Sequence, residues 1–350
     1  MTTNRQTLPG RTQRGVTLVE MMVAMVVGLI LLAGMIQLFA SNNRAYRLQE
    51  ATTVVNENAR FALDQMQYDI RMGDHWGGVE SDSVTMDSGM GTVTNDCAGN
   101  AAAAVAAGVI GFEGAATSPL ACIPAADYQA NTDVLVLRYA APNRIASGSL
   151  NNSTLYLRSA IGRRGLIFQG EDKATLPADL APANFTETNV FNEDPSAATY
   201  ELRTVVYFIR RCASQDRGTT GVCDAADDTI PTLVRYRLQN MAMVAEDVIS
   251  GVEQMQFAFG VDTDGDRSAD VYQNATEVST ANRWNRVVNV KMSLVLRGLE
   301  RDVTFTDTTT YRLYGGAAGG TVSYTVPAAD QQFRRKIYHA TIQIRNMNRG

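Results

Sequence analysis

The chain has 350 residues, and 36 acidic against 31 basic side chains give a formal net charge of −5. No basic patch or stripe is evident, which argues against nucleic acid as a partner. Neither histidine, His75 or His339, lies in a nucleophile or metalloprotease motif, and no phosphate-binding or dinucleotide fingerprint occurs, so the chain is not read as an enzyme.

The first fifteen residues carry Arg5, Arg11 and Arg14 and no acid. Val16 to Ala40 is then apolar apart from Gln37, a few small residues and one carboxylate, Glu20. As a helix rising ~1.5 Å per residue this stretch spans ~37 Å. That exceeds the ~30 Å hydrocarbon core of a bilayer. It is also longer than the roughly 7–15 apolar residues of a cleaved secretory signal, and no Ala-x-Ala site ends it. The arginines keep the leading end cytoplasmic, so everything after residue 40 faces the periplasm or the outside. A carboxylate inside hydrocarbon is costly and needs a neutralising partner.

Ala45, Leu48, Thr52, Val55, Ala59, Ala62 and Met66 recur at steps of three and four, one apolar stripe along a helix. Arg44, Arg47, Glu50, Glu57, Asn58, Arg60, Asp64 and Asp69 lie between them and read as the solvated face. Neither Pro nor Gly interrupts residues 37–72, and Gly73 is the natural stop. One continuous helix is therefore expected over residues 16–72. Its first part, 16–40, is the membrane or filament-core half, and 41–72 is the amphipathic half.

Residues 73–130 are rich in Gly, Ala, Ser and Asp, and the Ala tract near 100–108 is read as irregular loop with one short helix at most. Strand patterns follow at 133–139, 153–158, 165–169, 200–211, 232–238, 253–259, 286–296, 309–314 and 335–345, short β-branched or aromatic runs bounded by turn residues. One long helix followed by strands predicts an α+β protein with a mostly antiparallel sheet. Residues 73–350 then form one large β-rich domain, or two small sheets sharing the helix.

Cys97, Cys122, Cys212 and Cys223 are an even set in an exported domain and read as disulfides. Three pairings exist; proximity favours Cys97–Cys122 and Cys212–Cys223. Their spacings fit no metal motif. Asp262, Asp264, Asp266 and Asp270 place hard oxygen ligands at alternate positions, as at the start of a calcium loop. Arg267 stands where an EF-type loop has glycine, and Gln273 where it has its bidentate acid. An Asp/Gly-rich turn explains the same residues by backbone preference alone. No other cofactor is expected.

The run Gly15-Val16-Thr17-Leu18-Val19-Glu20 behind a basic leader resembles the class III signal of type IV pilins and type II secretion pseudopilins. Residues 245–260 resemble the helix-turn-strand unit of the larger minor pilins, and residues 334–346 their final strand. Together these resemble the PilW type of minor pilin, with type II secretion minor pseudopilin J nearest in architecture. The resemblance implies a type IV pilin-like fold and cleavage by a prepilin peptidase between Gly15 and Val16. It further implies methylation of Val16 and a mature chain whose fifth residue is Glu20. Val16 departs from the Phe usual at that place. Loss of the leader takes the net charge to −8. The implied function is a minor pilin that primes a type IV pilus and enters it at or near the tip, for adhesion or twitching. Its partners are then the inner membrane, other minor pilins and the major pilin. A type II secretion pseudopilin and a pilin-anchored surface adhesin are the alternatives. Glu20 would meet the cationic N-terminus of a neighbouring Val16.

Overall fold

The computed structural model describes residues 15–87, 93, 97, 107–146, 149–160, 164–170, 197–213 and 221–345. Leader residues 1–14, with Arg5, Arg11 and Arg14, and most of the Ala tract, 101–106, lie outside them. The chain divides into two compact units, Met1–Thr53 and Val54–Gly350.

Helix α1, Leu18–Met72, is a single 55-residue element, as the unbroken pattern predicts. Val55, Ala59, Ala62 and Met66 of the predicted stripe are buried. Ala45 and Thr52 are exposed and Leu48 half-buried, so the buried stripe begins at Val55. It does not end at Met66. Asp69, assigned above to the solvated face, is 2% exposed and continues the stripe at its next step. Gly73 follows the helix for a reason other than φ: a Cβ there would sit 2.7 Å from Val109 Cγ2. The left-handed residue is Asp74, at φ 61°.

The strands are β1 Val84–Met86, β2 Val109–Phe112, β3 Val134–Arg144, β4 Leu155–Ala160, β5 Gly165–Gln169, β6 Ala197–Arg210 and β7 Thr232–Gln239. They continue as β8 Ala242–Ser250, β9 Val252–Val261, β10 Val271–Gln273, β11 Val287–Arg297, β12 Thr310–Leu313, β13 Val322–Thr325 and β14 Arg335–Gln343. A short helix α2, Ala275–Thr280, follows β10 and is closed by a capping box between Asn274 and Glu277. The first sheet runs β1-β5-β4-β6-β3-β2, with β7 and β8 branching from β6; the second runs β10-β9-β11-β14; β12 and β13 form a hairpin. Among the described residues every strand pairing is antiparallel except β1 with β5. Along one edge, β6 pairs with β4 through residues 197–201 and with β7 through 205–210. Leu202, Arg203 and Thr204, at this fork, pair with β3 alone.

The start of the 245–260 segment, which its resemblance to a helix-turn-strand unit implies is helical, is instead part of strand β8. Its partners explain it: β8 is laddered onto β7 from Ala242 to Ser250, with one register shift at Val248. At Gly251, φ 94°, the chain leaves the first sheet and enters the second. A Cβ there would lie 2.8 Å from the Arg297 carbonyl oxygen, so glycine is required by space as well as by φ.

One core joins all three layers. Ala59, Ala62, Met66 and Ile70 pack with Leu135, Leu137, Val205 and Tyr207 of the first sheet and with Met255, Phe257, Met292 and Leu294 of the second. Truncating fully buried Met66 to Ala would cost about 2–5 kcal/mol. Successive strand residues face opposite ways. Val206 and Phe208 therefore join a second core on the sheet's other face, with Trp76, Ile123, Tyr128 and Cys97. Burial on both faces is why the second half of β6 reads as the apolar run Val205–Ile209.

Candidate functional site

Glu20 lies in the first turn of α1 and is exposed, as are Val16 and the apolar residues that follow it. Thr17 and Glu20 face each other as a long reciprocal cap: Thr17 N donates to Glu20 Oε2 at 3.4 Å, and Glu20 N donates to Thr17 Oγ1 at 3.3 Å. The sequence reading had no such role for Glu20, although the Thr-x-x-Glu spacing signals it. α1 is the one described helix long and apolar enough to cross a membrane, and none of its most apolar stretch is buried.

In the second unit the last turns of α1 are tied to both sheets by polar contacts. Asp69 accepts from Tyr139 Oη at 2.7 Å and from Tyr207 Oη at 2.6 Å, and Arg235 Nη1 stands 3.6 Å from it. Burial, and then the Asp69 charge, hold both tyrosine hydroxyls far above their usual pKa, so they remain donors. Asn56 Oδ1 accepts from Tyr338 Oη at 2.7 Å and Lys336 Nζ at 2.8 Å, fixing β14 to the helix. Just past the helix, Asp74 Oδ1 accepts from Trp76 Nε1 at 2.8 Å and Gly108 N at 3.0 Å. Burial outweighs those bonds and raises the Asp74 carboxyl to about 6.

Two further buried carboxylates join strands. Asp133 accepts from Gly114 N and, across to β9, from Phe257 N, each at 2.8 Å. Burial and then the nearby Glu113 charge lift its carboxyl well above the usual range. Glu253 pairs with the Arg335 guanidinium, Nη2 to Oε1 at 2.9 Å, and Arg335 Nη1 reaches Asp307 at 3.4 Å.

The cysteines pair as proximity favoured, Cys97 with Cys122 at a Cα separation of 4.8 Å and Cys212 with Cys223 at 5.9 Å. Of the four aspartates in the 262–270 turn, Asp262, Asp264 and Asp270 bring one carboxylate oxygen each within 4.8 Å of the others. Asp266 does not join them; its Oδ1 accepts from Ser268 N at 2.7 Å. The turn also uses its own acids. Asp262 accepts from Gly265 N at 2.6 Å, Arg267 N at 2.8 Å and Asp264 N at 3.1 Å, and these bonds, Gly265 first, hold its carboxyl below the usual range. Arg267, where an EF-type loop has glycine, adopts φ 69°.

His339 Nδ1 lies 2.9 Å from Ser293 Oγ. Ser293 is fully buried and accepts from Tyr314 N, so this pair offers no accessible nucleophile. The His75 ring meets Tyr200 edge-on.

Residues 10–36 match the family described as "Prokaryotic N-terminal methylation motif", and residues 206–346 match "Type IV Pilus-assembly protein W". No curated protein matches. Among solved structures, a type IV-like pilin from Thermus thermophilus is 11% identical, over 62% of this chain and 80% of its own, with a TM-score of 0.27. That superposition is too loose to add to the fold described above. A long N-terminal helix that carries the methylation motif, followed by a mostly antiparallel β domain, is an α+β arrangement consistent with a type IV pilin-like fold. Together the two family matches support a type IV pilus minor pilin of the PilW type. The matched families are pilin and pilus-assembly families, and the single apolar N-terminal helix fits a membrane-anchored pilin.

Proposed function

We propose that this chain is a minor pilin that helps prime a type IV pilus and is incorporated at or near its tip. Prepilin peptidase cuts between Gly15 and Val16 on the cytoplasmic side, and Val16 is methylated. The mature subunit waits in the inner membrane as a single-pass protein with residues 73–350 in the periplasm. It then packs its apolar helix against other minor pilins and the major pilin, reaching the cell surface in the filament.

The observation that carries this reading is the first turn of α1. Glu20 and Thr17 stand at the head of a helix whose most apolar stretch has no buried residue in the isolated chain. Such a surface is stable only in lipid or against other helices. Cleavage puts a cationic nitrogen on Val16 of every subunit, and a neighbour's amine is the partner Glu20 needs in an apolar setting.

Mass spectrometry of the mature N-terminus tests the processing: a methylated Val16 is expected, and an intact leader would overturn it. Glu20→Gln should lower the amount of this subunit in sheared pili while leaving the folded domain intact. Wild-type incorporation of that variant would remove the assembly role from Glu20.

A further inference from the structure

Where the end of β2 and the start of β3 meet the second sheet, two acids of the first sheet reach across the seam. Asp133, one residue before β3 and 1% exposed, accepts from Gly114 N and from Phe257 N of β9, each at 2.8 Å. Glu113, one residue past β2 and half-buried, accepts from Ala275 N at 3.1 Å. Ala275 is the first residue of α2, which packs on β9. The seam is thus held by two carboxylates, each gripping a backbone N–H on the far side.

No cation balances them. Neither acid has an ion pair among the described residues. The charge that acts on Asp133 is that of Glu113, and the charge that acts on Glu113 is that of Glu277. Tyr128, whose hydroxyl donates to Thr132 O, is the other titratable group that senses Asp133. From β9, Met255 and Phe257 meet Asp133 through their backbone and do not titrate. A buried carboxylate without a cation is costly to ionise, and a second carboxylate beside it adds to the cost.

We propose that this seam is a pH-sensitive closure, shut while either acid holds a proton and opening locally once both are ionised. Opening would part β9 from the start of β3 and α2 from the end of β2, a local event distinct from unfolding. Burial, and then the Glu113 charge, lift the Asp133 carboxyl well above its ordinary 3.8; burial likewise lifts Glu113 above 4.5. The backbone N–H bonds oppose both shifts and are outweighed. With both folded values raised, the stabilisation is complete below 3.8 and is lost as pH rises through the folded values. The seam is tight in acid and loose in alkali.

Amide hydrogen exchange of the full chain in detergent, between pH 5 and 9 and corrected for the intrinsic rate, tests this. Protection of the Phe257 and Ala275 amides should fall about tenfold or more relative to amides of central β11, tenfold being the effect of one unit of raised pKa. Asp74 acts on the whole fold and so on both sets of amides alike. Glu113→Gln keeps an acceptor for Ala275 N and removes one charge, so the relative fall should shrink by about threefold or more. Relative protection that is level from pH 5 to 9 overturns the closure. A fall undiminished in Glu113→Gln overturns the partnership of the two acids.

Discussion

The Tyr207 hydroxyl donates to Asp69 at 2.6 Å and so joins the last turn of the long helix to the middle of β6, 138 residues away. Tyr139 does the same from β3. Asp69→Ala would leave two buried hydroxyls without an acceptor and Arg235 without one of its anions. A loss of ~3 kcal/mol is expected by urea denaturation. Tyr207→Phe removes one bond and should cost ~1–2 kcal/mol. A change within ~0.5 kcal/mol for Asp69→Ala, the scale of an inert surface substitution, would deny the tie any structural weight.

Asp74 makes the chain gain stability on mild acidification. Its folded pKa, about 6, lies above the ordinary 3.8. The unfolded chain therefore gives up this proton more readily. The contribution is fully present below 3.8 and is lost as pH rises through about 6, an effect of order 3 kcal/mol between those limits. Asn at this position keeps the acceptor oxygen and tolerates the left-handed backbone. Asp74→Asn should thus be more stable than the parent at pH 7 and nearly equal at pH 4. Denaturation curves across that range giving a less stable variant at pH 7 would reverse the assignment.

Glu253 is 4% exposed, and the Arg335 side chain, fully enclosed at 0%, holds the start of β14. Glu253→Gln keeps one acceptor oxygen but removes the charge and turns an NH2 toward the guanidinium, leaving Asp307 as its remaining anion. A loss of ~3–5 kcal/mol is expected in equilibrium unfolding. The reverse result, a neutral effect, would mean that Asp307 alone neutralises Arg335.

The turn at residues 262–270 is closed by its own backbone N–H groups, so EDTA should leave the melting temperature unchanged. A fall of several degrees on chelation, restored by calcium, would instead place an ion between Asp262, Asp264 and Asp270.

Periodicity made the scaffold legible, because α1 is unbroken and the long strands are bounded by turn residues. It misled where a polar residue stood on an apolar stripe. From Val55 the buried positions step by four, three, four and three to Asp69. The spacing points inward while the charge points outward. What the chain could not advertise was the pair of tyrosines, far off in sequence, that makes an inward carboxylate tolerable. β8 failed for a similar reason. Ala245 to Ser250 carries two acids suited to a helix surface, yet Arg210 and Arg235 across the sheet receive them, Asp247 and Glu246 respectively. Short strands such as β1, β10 and β13 exist only through their neighbours. The disulfide pairing was readable because each pair closes its nearest loop.

Gly251 carries the chain from one sheet to the other in a single residue, and its N–H and C=O are bonded to Pro231 and Arg297. No linker separates the sheets, and helix α1 buries against both. Neither sheet can therefore melt and leave the other standing. The whole of residues 54–350 should behave as one cooperative folding unit, losing its near-ultraviolet and far-ultraviolet circular dichroism in a single coincident transition.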